Sequence, residues 1–244
     1  MTMGTARRIY KNTLYLGTAE IVSKLLQFVI MLYAARLLSK GHFGKFNFAL
    51  SLSLIAIVFA DLGINSFLIR EISRDRKLAS KYFMNAFFVK IALAFITYFL
   101  IAAVLNIFNY PPDTKQIVYI IWIFAILSTF TELFYSVFRA FEMMQYDAFL
   151  KIFRMVLLTA TGIYVLFSGY GIVAFSYTFV FVELAVVFVA LLLALKKFIA
   201  IKPFFDFDFA SSLLRGALPF GLALVFGSIY FYIGSVMLSK IRGD

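Results

Sequence analysis

The sequence predicts an all-α polytopic membrane protein, and composition, apolar run length and charge placement carry this prediction. Of the 244 residues, 64% are hydrophobic and 14% charged, against about 45–50% and about 25% in an ordinary soluble domain. The apolar residues form seven runs of about 20–27 residues, each long enough for a helix to cross the hydrocarbon. Backbone groups in lipid must bond within their own segment, so each run is predicted to be helical.

The seven predicted helices follow one another with short connections. They are Thr13–Leu38, Phe46–Ile69, Phe83–Phe108, Ile117–Phe138, Phe149–Phe167, Ile172–Leu195 and Leu213–Leu238. The first run follows three basic residues, as in a signal peptide. It is too long for one and lacks a small-residue cleavage site, so it is predicted to stay as a membrane span.

The placement of lysine and arginine predicts the orientation. Well over half of the 23 basic residues fall in the N-terminal segment and in every second connection after it. The connections at Asn109–Asp113 and Ser168–Gly171 are uncharged or acidic. By the positive-inside rule, we expect a cytoplasmic N-terminus in the plasma membrane. The net charge of +11 then indicates anionic membrane lipids as partners rather than nucleic acid.

Several kinds of chemistry have almost no residues to support them. The chain has no cysteine and one histidine, His42. Disulfides, thiolate metal sites and cysteine nucleophiles are therefore excluded, and histidine-based catalysis nearly so. We expect no catalytic residues, no bound metal and no cofactor.

Helix one carries a polar stripe that does not suit lipid. The stripe repeats at steps of three or four residues and consists of Thr13, Gly17, Glu20, Lys24 and Gln27. Such spacing places the side chains on one face, which we expect to meet protein or water. Glu20 and Lys24 also stand in the favourable order for an ion pair one turn apart.

Candidate site residues with a charge also occur in four other predicted helices. They are Asp61, Lys90, Glu132 with Arg139, and Glu183. Each costs about 2.5–3.5 kcal/mol at mid-membrane, so each needs a partner, a cavity or a function. At about 1.5 Å per residue, Glu20, Asp61 and Lys90 lie roughly 12 Å from the predicted cytoplasmic edge, and Glu132 slightly less deep. The charges are therefore predicted to share one layer.

Two interpretations of this layer stay open. It lines a hydrated cavity whose lysines attract an anion and whose carboxylates bind a cation or proton. Alternatively, it is an ion-pair network that only locks the bundle, with Lys90 and Glu132 reaching toward the interface. Pro219 in the seventh helix is expected to kink it, and the kinked helix could bend as a gate. Alternatively, the glycines of this helix only permit close packing.

A short repeat predicts the domain organisation. Leu38-Ser39-Lys40 ends the first predicted helix, and Leu238-Ser239-Lys240 ends the seventh in the same predicted orientation. A parallel repeat makes the seventh helix the first of a second bundle. We therefore expect a six-helix lobe over residues 1–203, the first helix of a second lobe over 204–244, and a longer parent protein.

Several segments resemble one known family. They are Ala35-Arg36-Leu37-Leu38-Ser39, Phe43-Gly44, Asp61-Leu62-Gly63-Ile64, Arg70-Glu71-Ile72, the Arg139–Tyr146 loop and Leu214–Leu238. Together these segments are similar to the polysaccharide-biosynthesis (oligosaccharide) flippase family of the multidrug, oligosaccharidyl-lipid and polysaccharide exporter superfamily. The resemblance implies two six-helix lobes around a central cavity.

The resemblance also implies a function. It is the transfer of a polyprenyl-(pyro)phosphate-linked oligosaccharide from the cytoplasmic to the outer leaflet by alternating access, without covalent chemistry. On this hypothesis Lys24, Lys90 and Arg139 attract the anionic head group. Glu20, Asp61 and Glu183 would hold a coupling proton or Na⁺, and the remaining lobe or a second subunit would complete the cavity.

Three alternatives remain. One is a multidrug or other small-solute cation-coupled exporter of the same superfamily. A second is a membrane-embedded glycosyltransferase or acyltransferase, and the outer loops hold little more than Asp113 and His42 for such chemistry. A third is a scaffold or receptor that transports nothing.

Overall fold

The computed structural model describes residues 3–199 and 205–223, and the regular structure in these ranges is helical. The helices are α1 (Met3–Leu37), α2 (Lys40–Asp61), α3 (Ile64–Arg74), α4 (Ala79–Ile107), α5 (Pro112–Ala140), α6 (Met144–Phe167) and α7 (Gly171–Lys197). A short 3-10 turn at Arg76–Leu78 precedes α4. A further helical segment, α8, covers residues 207–223.

Six apolar stretches in the described ranges are long enough to cross a membrane. They correspond to the first six predicted helices, with α2 and α3 forming one stretch together. The seventh predicted helix, Leu213–Leu238, begins within α8. Its residues after 223, including the repeat at Leu238-Ser239-Lys240, lie outside the described residues.

Several helices are longer than the apolar runs that predict them. Helix α6 begins at Met144 rather than at Phe149, and α5 begins at Pro112 rather than at Ile117. Hydropathy detects only the apolar part of a helix, whereas backbone hydrogen bonding continues into its polar ends. The extension matters at α6, because it brings Asp147 into the first turn of the helix.

The helices pack around α5. This helix contacts α7, α2, α3, α4 and α6, whereas α1 packs mainly on α6 and barely touches α2. Aromatic side chains fill much of the interior. Phe46 of α2, for example, lies 5.0 and 5.3 Å from the rings of Phe175 and Phe179 on α7.

The second predicted helix, Phe46–Ile69, is interrupted. The chain leaves α2 at Leu62 and enters α3 after Gly63, and both residues have left-handed backbone angles, with φ of 45° and 79°. A left-handed conformation costs a residue with a Cβ roughly 1–2 kcal/mol, and glycine pays no such penalty. Hydropathy showed one apolar run here, so it gave no sign of the break.

Helix α8 docks on this break. A Cβ added to Gly63 would lie 2.6 Å from the carbonyl oxygen of Ala217, and one added to Gly221 would lie 2.7 Å from the carbonyl of Leu62. Both glycines are thus needed for the backbones to approach so closely. Beside this contact, the Arg70 guanidinium lies 5.1 Å from the ring of Phe220 on α8.

The start of α8 is tied to α4. The backbone N–H of Asp206 donates to the Asn85 side chain at 3.0 Å, and Lys81 Nζ lies 3.3 Å from the Asp206 carboxylate. The backbone N–H of Phe209 donates to the same carboxylate at 3.0 Å. The Phe209 N–H and the Lys81 ammonium hold the pKa of Asp206 below its usual range.

Contacts between helix ends show which ends lie on the same side of the bundle, and they agree with the two sides predicted from the sequence. At the predicted outer end, Lys45 at the start of α2 pairs with Asp113 at the start of α5. At the predicted inner end, Asn12 donates to the carbonyl of Glu142, and Lys197 donates to Tyr146 at 2.9 Å. Segments predicted to share a side are therefore neighbours. Which side faces the cytoplasm stays a prediction.

Candidate functional site

Asp61 and Lys90 form a buried ion pair between α2 and α4. Lys90 Nζ donates to Asp61 Oδ1 at 2.7 Å, and the Lys90 side chain has no exposed surface. Each group supplies the charge that the other needs once both have left water. The sequence left open that Lys90 reaches toward the membrane interface. The structure corrects this for Lys90, because its side chain ends at Asp61 in the interior.

A second group of charges runs in alternating sign across α1, α6 and α5. Lys151 Nζ on α6 lies 3.9 Å from Glu20 on α1 and 3.5 Å from Asp147 on its own helix. Arg139 Nε on α5 donates to the other Asp147 oxygen at 2.6 Å. Arg139 also reaches Glu132 at 3.5 Å. Five charges on three helices are thus joined in one chain.

The chain of ion pairs ends at the α1 surface. Lys24 Nζ lies 3.5 Å from Glu20, so the predicted pairing within α1 is present in the structure. Exposure falls from 72% for the Lys24 side chain to 18% for Lys151 and zero for Asp147. The charged path therefore leads from an exposed helix face into the interior.

Glu183 of α7 is fully buried beside this series of ion pairs. Its carboxylate accepts a hydrogen bond from Thr131 Oγ1 at 2.5 Å and lies 3.7 Å from Arg154 Nη1. Arg154 lies three residues after Lys151 on the same face of α6, so the Arg154–Glu183 pair adjoins the ion pairs of Lys151. We call the whole set the charged network; it consists of Glu20, Lys24, Glu132, Arg139, Asp147, Lys151, Arg154 and Glu183.

Tyr135 of α5 lies within the charged network. Arg139 and Lys151 lie 5.8 and 5.9 Å from the centre of its ring, close enough for cation–π attraction. Its hydroxyl is buried and has no hydrogen-bond partner. The network therefore contains a buried hydroxyl without a hydrogen-bond partner, on an aromatic ring that two cations approach.

The polar stripe of α1 lies on one exposed flank of the helix. Thr13, Gly17, Glu20, Lys24 and Gln27 are all exposed. The neighbouring flank is equally exposed but apolar, with Leu14, Ile21, Leu25 and Phe28. The stripe is thus available to water, to a second lobe or to a bound molecule.

The predicted layer of charges separates into two groups. Glu20, Lys24, Glu132, Arg139 and Glu183 belong to the charged network. Asp61 and Lys90 pair with each other between α2 and α4, and among the described residues no ion pair joins the two groups. Glu183 is buried with a cation and a hydroxyl, whereas Lys24 is the most exposed member.

Three network residues were not predicted as site residues. These residues are Asp147, Lys151 and Arg154. In the sequence, Lys151 and Arg154 served only as basic residues that predict the membrane orientation, and Asp147 lay in a predicted loop. Their spacing of four and three residues places them on one helix face. The same spacing on α5 joins Glu132, Tyr135 and Arg139. The sequence therefore held a signal for this site, because two successive helices each carry polar residues at helical spacing on one face.

The predicted gating residue, Pro219, lies on an exposed face of α8. Proline has no N–H to donate to the carbonyl of Arg215 one turn earlier, which weakens the helix at that point. The gating role stays a prediction. Among the described residues, the acidic side chains and His42 form no cluster that could hold a metal ion.

The chain is similar to one known protein family in sequence and to a solved transporter in fold. The model of the polysaccharide biosynthesis protein family matches residues 9–244. No match was found among curated proteins. A solved MOP superfamily transporter from Pyrococcus furiosus is similar over 95% of this chain and 56% of its own, with 17% identity and a TM-score of 0.73.

At that identity the similarity shows the fold alone, and the chain spans little more than half the length of the solved transporter. The family match covers nearly the whole chain and confirms the resemblance found in the sequence. The chain is thus a multi-pass membrane protein that belongs to the polysaccharide biosynthesis protein family and has a fold similar to that of a MOP superfamily transporter.

Proposed function

We propose that this chain is part of a flippase that moves a polyprenyl-(pyro)phosphate-linked oligosaccharide from the cytoplasmic to the outer leaflet of the plasma membrane. The family concerns polysaccharide biosynthesis, and the similar solved structure is a transporter. A sugar phosphate cannot cross hydrocarbon unaided, whereas its lipid tail can remain in the bilayer. Moving such a molecule needs a polar path and no covalent chemistry.

The proposal rests mainly on the charged network, whose ion pairs continue to the exposed face of α1. Charges inside a membrane are costly and are retained mainly along substrate and ion pathways. Here the ion pairs continue from buried Asp147 to exposed Lys24. A path of this kind can exchange internal ion pairs for contacts with a phosphate group, and its carboxylates can hold a proton or Na⁺.

We propose that the polar stripe of α1 faces a central cavity. The second wall of that cavity would come from the remaining lobe or from a second subunit, because this chain spans 56% of the similar transporter. Alternating access would then move the two walls relative to each other. The distribution of basic residues supports a cytoplasmic N-terminus.

The test uses the full-length protein in a complementation assay for surface glycan export. We expect Lys24→Ala to reduce export severalfold at normal membrane levels, because Lys24 is exposed and its removal leaves no buried charge unpaired. The matched control is Lys45→Ala, which removes a lysine paired with Asp113 at the other end of the bundle. The control should export normally.

Two outcomes would contradict the proposal. Equal export by Lys24→Ala and wild type would remove Lys24 from the path. The second outcome concerns deletion of the gene. If the deletion strain loses drug resistance but exports glycan normally, the small-solute exporter is favoured instead.

A further inference from the structure

We propose that Arg139, Lys151 and the Tyr135 hydroxyl form a binding site for a phosphate-type anion, and that Asp147 fills this site as an internal counter-ion. Anion binding would displace Asp147 from the two cations and couple to proton uptake by its carboxyl group. The natural ligand, the phosphate of a lipid-linked oligosaccharide, rests on the proposed function. The site itself rests on the buried ion pairs of Asp147 and on the unpartnered Tyr135 hydroxyl.

Asp147 occupies a position suited to an anion. Its side chain is fully buried, Arg139 donates to one oxygen at 2.6 Å, and Lys151 lies 3.5 Å from the other. Asp147 also stands in the first turn of α6, where the helix dipole favours negative charge. The same features would bind a phosphate oxygen in its place.

The Tyr135 hydroxyl is the donor that Asp147 does not use. It is buried without a hydrogen-bond partner, and the centre of its ring lies 5.8 Å from Arg139 and 5.9 Å from Lys151. An unsatisfied buried hydroxyl is costly to a fold. An anion with more oxygens than a carboxylate would give this hydroxyl an acceptor beside the two cations.

The charge balance explains the coupling to a proton. The charged network has four carboxylates and four basic groups. The groups around Asp147 are Glu20 and Lys24 from α1, Glu132, Tyr135 and Arg139 from α5, Lys151 and Arg154 from α6, and Glu183 from α7. An added anion would leave negative charge in surplus. A buried carboxylate stripped of its cations is neutralised by a proton, and Asp147 is the carboxylate between those cations.

The first experiment titrates sulfate into the purified full-length wild-type protein between pH 5 and 8, with binding followed by calorimetry. Sulfate keeps the same charge over this range, so any pH effect arises from the protein. We expect the affinity to rise as the pH falls, by up to about tenfold per pH unit for one linked proton. Affinity that does not change with pH, or no sulfate binding at any pH, would overturn the proposal.

The second experiment removes the internal counter-ion. Asp147→Asn keeps the shape of the side chain and is expected to bind sulfate more tightly at pH 8, with little change down to pH 5. Asp113→Asn is the matched control, because it makes the same change in the first turn of a helix at the opposite end of the bundle and should keep the wild-type pH dependence. His42 is present in both variants, so a flat profile in Asp147→Asn alone excludes histidine as the source.

The third experiment decides the question even where Asp147→Asn does not fold. Tyr135→Phe removes a hydroxyl without a partner, so unfolding in the absence of sulfate should be unchanged. Its sulfate affinity should fall about tenfold, as expected when a hydrogen bond to a charged group is lost. Unchanged affinity would exclude Tyr135 from the site. Normal glycan export by wild type alongside pH-independent sulfate binding would refute this inference and leave the proposed function standing.

Discussion

At the residue scale, buried charges of this chain form ion pairs with specific residues on other helices. Lys90 has no exposed side-chain surface and lies 2.7 Å from Asp61, so the pair joins α2 to α4 through the interior. Sequence alone marked both residues as costly in a membrane and left open whether they bind substrate or each other. The structure supplies the partner, because two residues 29 positions apart meet only when the helices pack.

Breaking this pair should affect stability more than transport. We expect Lys90→Met to lower the free energy of unfolding by about 3–5 kcal/mol, because it leaves the Asp61 carboxylate buried without a cation. Adding Asp61→Asn should restore most of the loss. Unfolding of the purified variants in detergent, followed by circular dichroism, measures both effects.

A matched control and an export assay complete this test. Lys115→Met removes a lysine that bonds Asn106 near the surface, and its effect should stay within about 0.5 kcal/mol. A stable Lys90→Met/Asp61→Asn protein that exports normally would exclude Lys90 from head-group binding. A stable protein without export would restore that role.

At the scale of elements, the contact between α8 and the α2–α3 break joins two parts of the chain. Gly63 and Gly221 let the backbones approach, and Arg70 lies against Phe220 beside them. The expected domain boundary between residues 203 and 204 stays a prediction. The contacts show that α8 packs on α4 near its start, through Phe209, and on α3 through Gly216 and Phe220.

Gly63→Ala should weaken this contact. The added methyl group would meet the Ala217 carbonyl and would sit on a residue with φ of 79°. We expect a loss of about 1–3 kcal/mol in thermal unfolding of the purified protein. Gly41→Ala in α2 is the control, since a Cβ there meets nothing within 4 Å, and stability should stay equal or rise slightly. Equal effects of the two changes would show that the approach of α8 is not tight.

At the scale of the whole molecule, α1 presents two different exposed flanks. One is the polar stripe and the other carries Leu25 and Phe28, while Ala19, Ile30 and Ala34 face the bundle. Charged side chains such as Glu20 and Lys24 are costly in lipid. We therefore expect this flank to border water.

Cysteine labelling tests that arrangement, because these 244 residues contain no cysteine of their own that would react. In membrane vesicles, Gly17→Cys and Gln27→Cys should react with a hydrophilic maleimide, because both positions lie on the polar stripe. Leu25→Cys and Phe28→Cys lie at similar depth on the apolar flank and should react at least tenfold more slowly. Equal rates on the two flanks would contradict a water-lined face.

The sequence by itself predicted much of the fold. The six described spans, their approximate limits and the family all follow from apolar run length and local motifs, because crossing a bilayer constrains each helix independently of its neighbours. The Glu20–Lys24 pair was also predictable, since residues one turn apart on a helix are always neighbours.

Only the tertiary structure decided which distant charges meet. It paired Lys90 with Asp61, placed Asp147 between Arg139 and Lys151, and broke the second helix at Leu62 and Gly63 where α8 docks. Depth along a helix can be counted from the sequence, but the direction in which a side chain points depends on how whole helices pack. The single predicted layer therefore became a buried pair and a separate charged network.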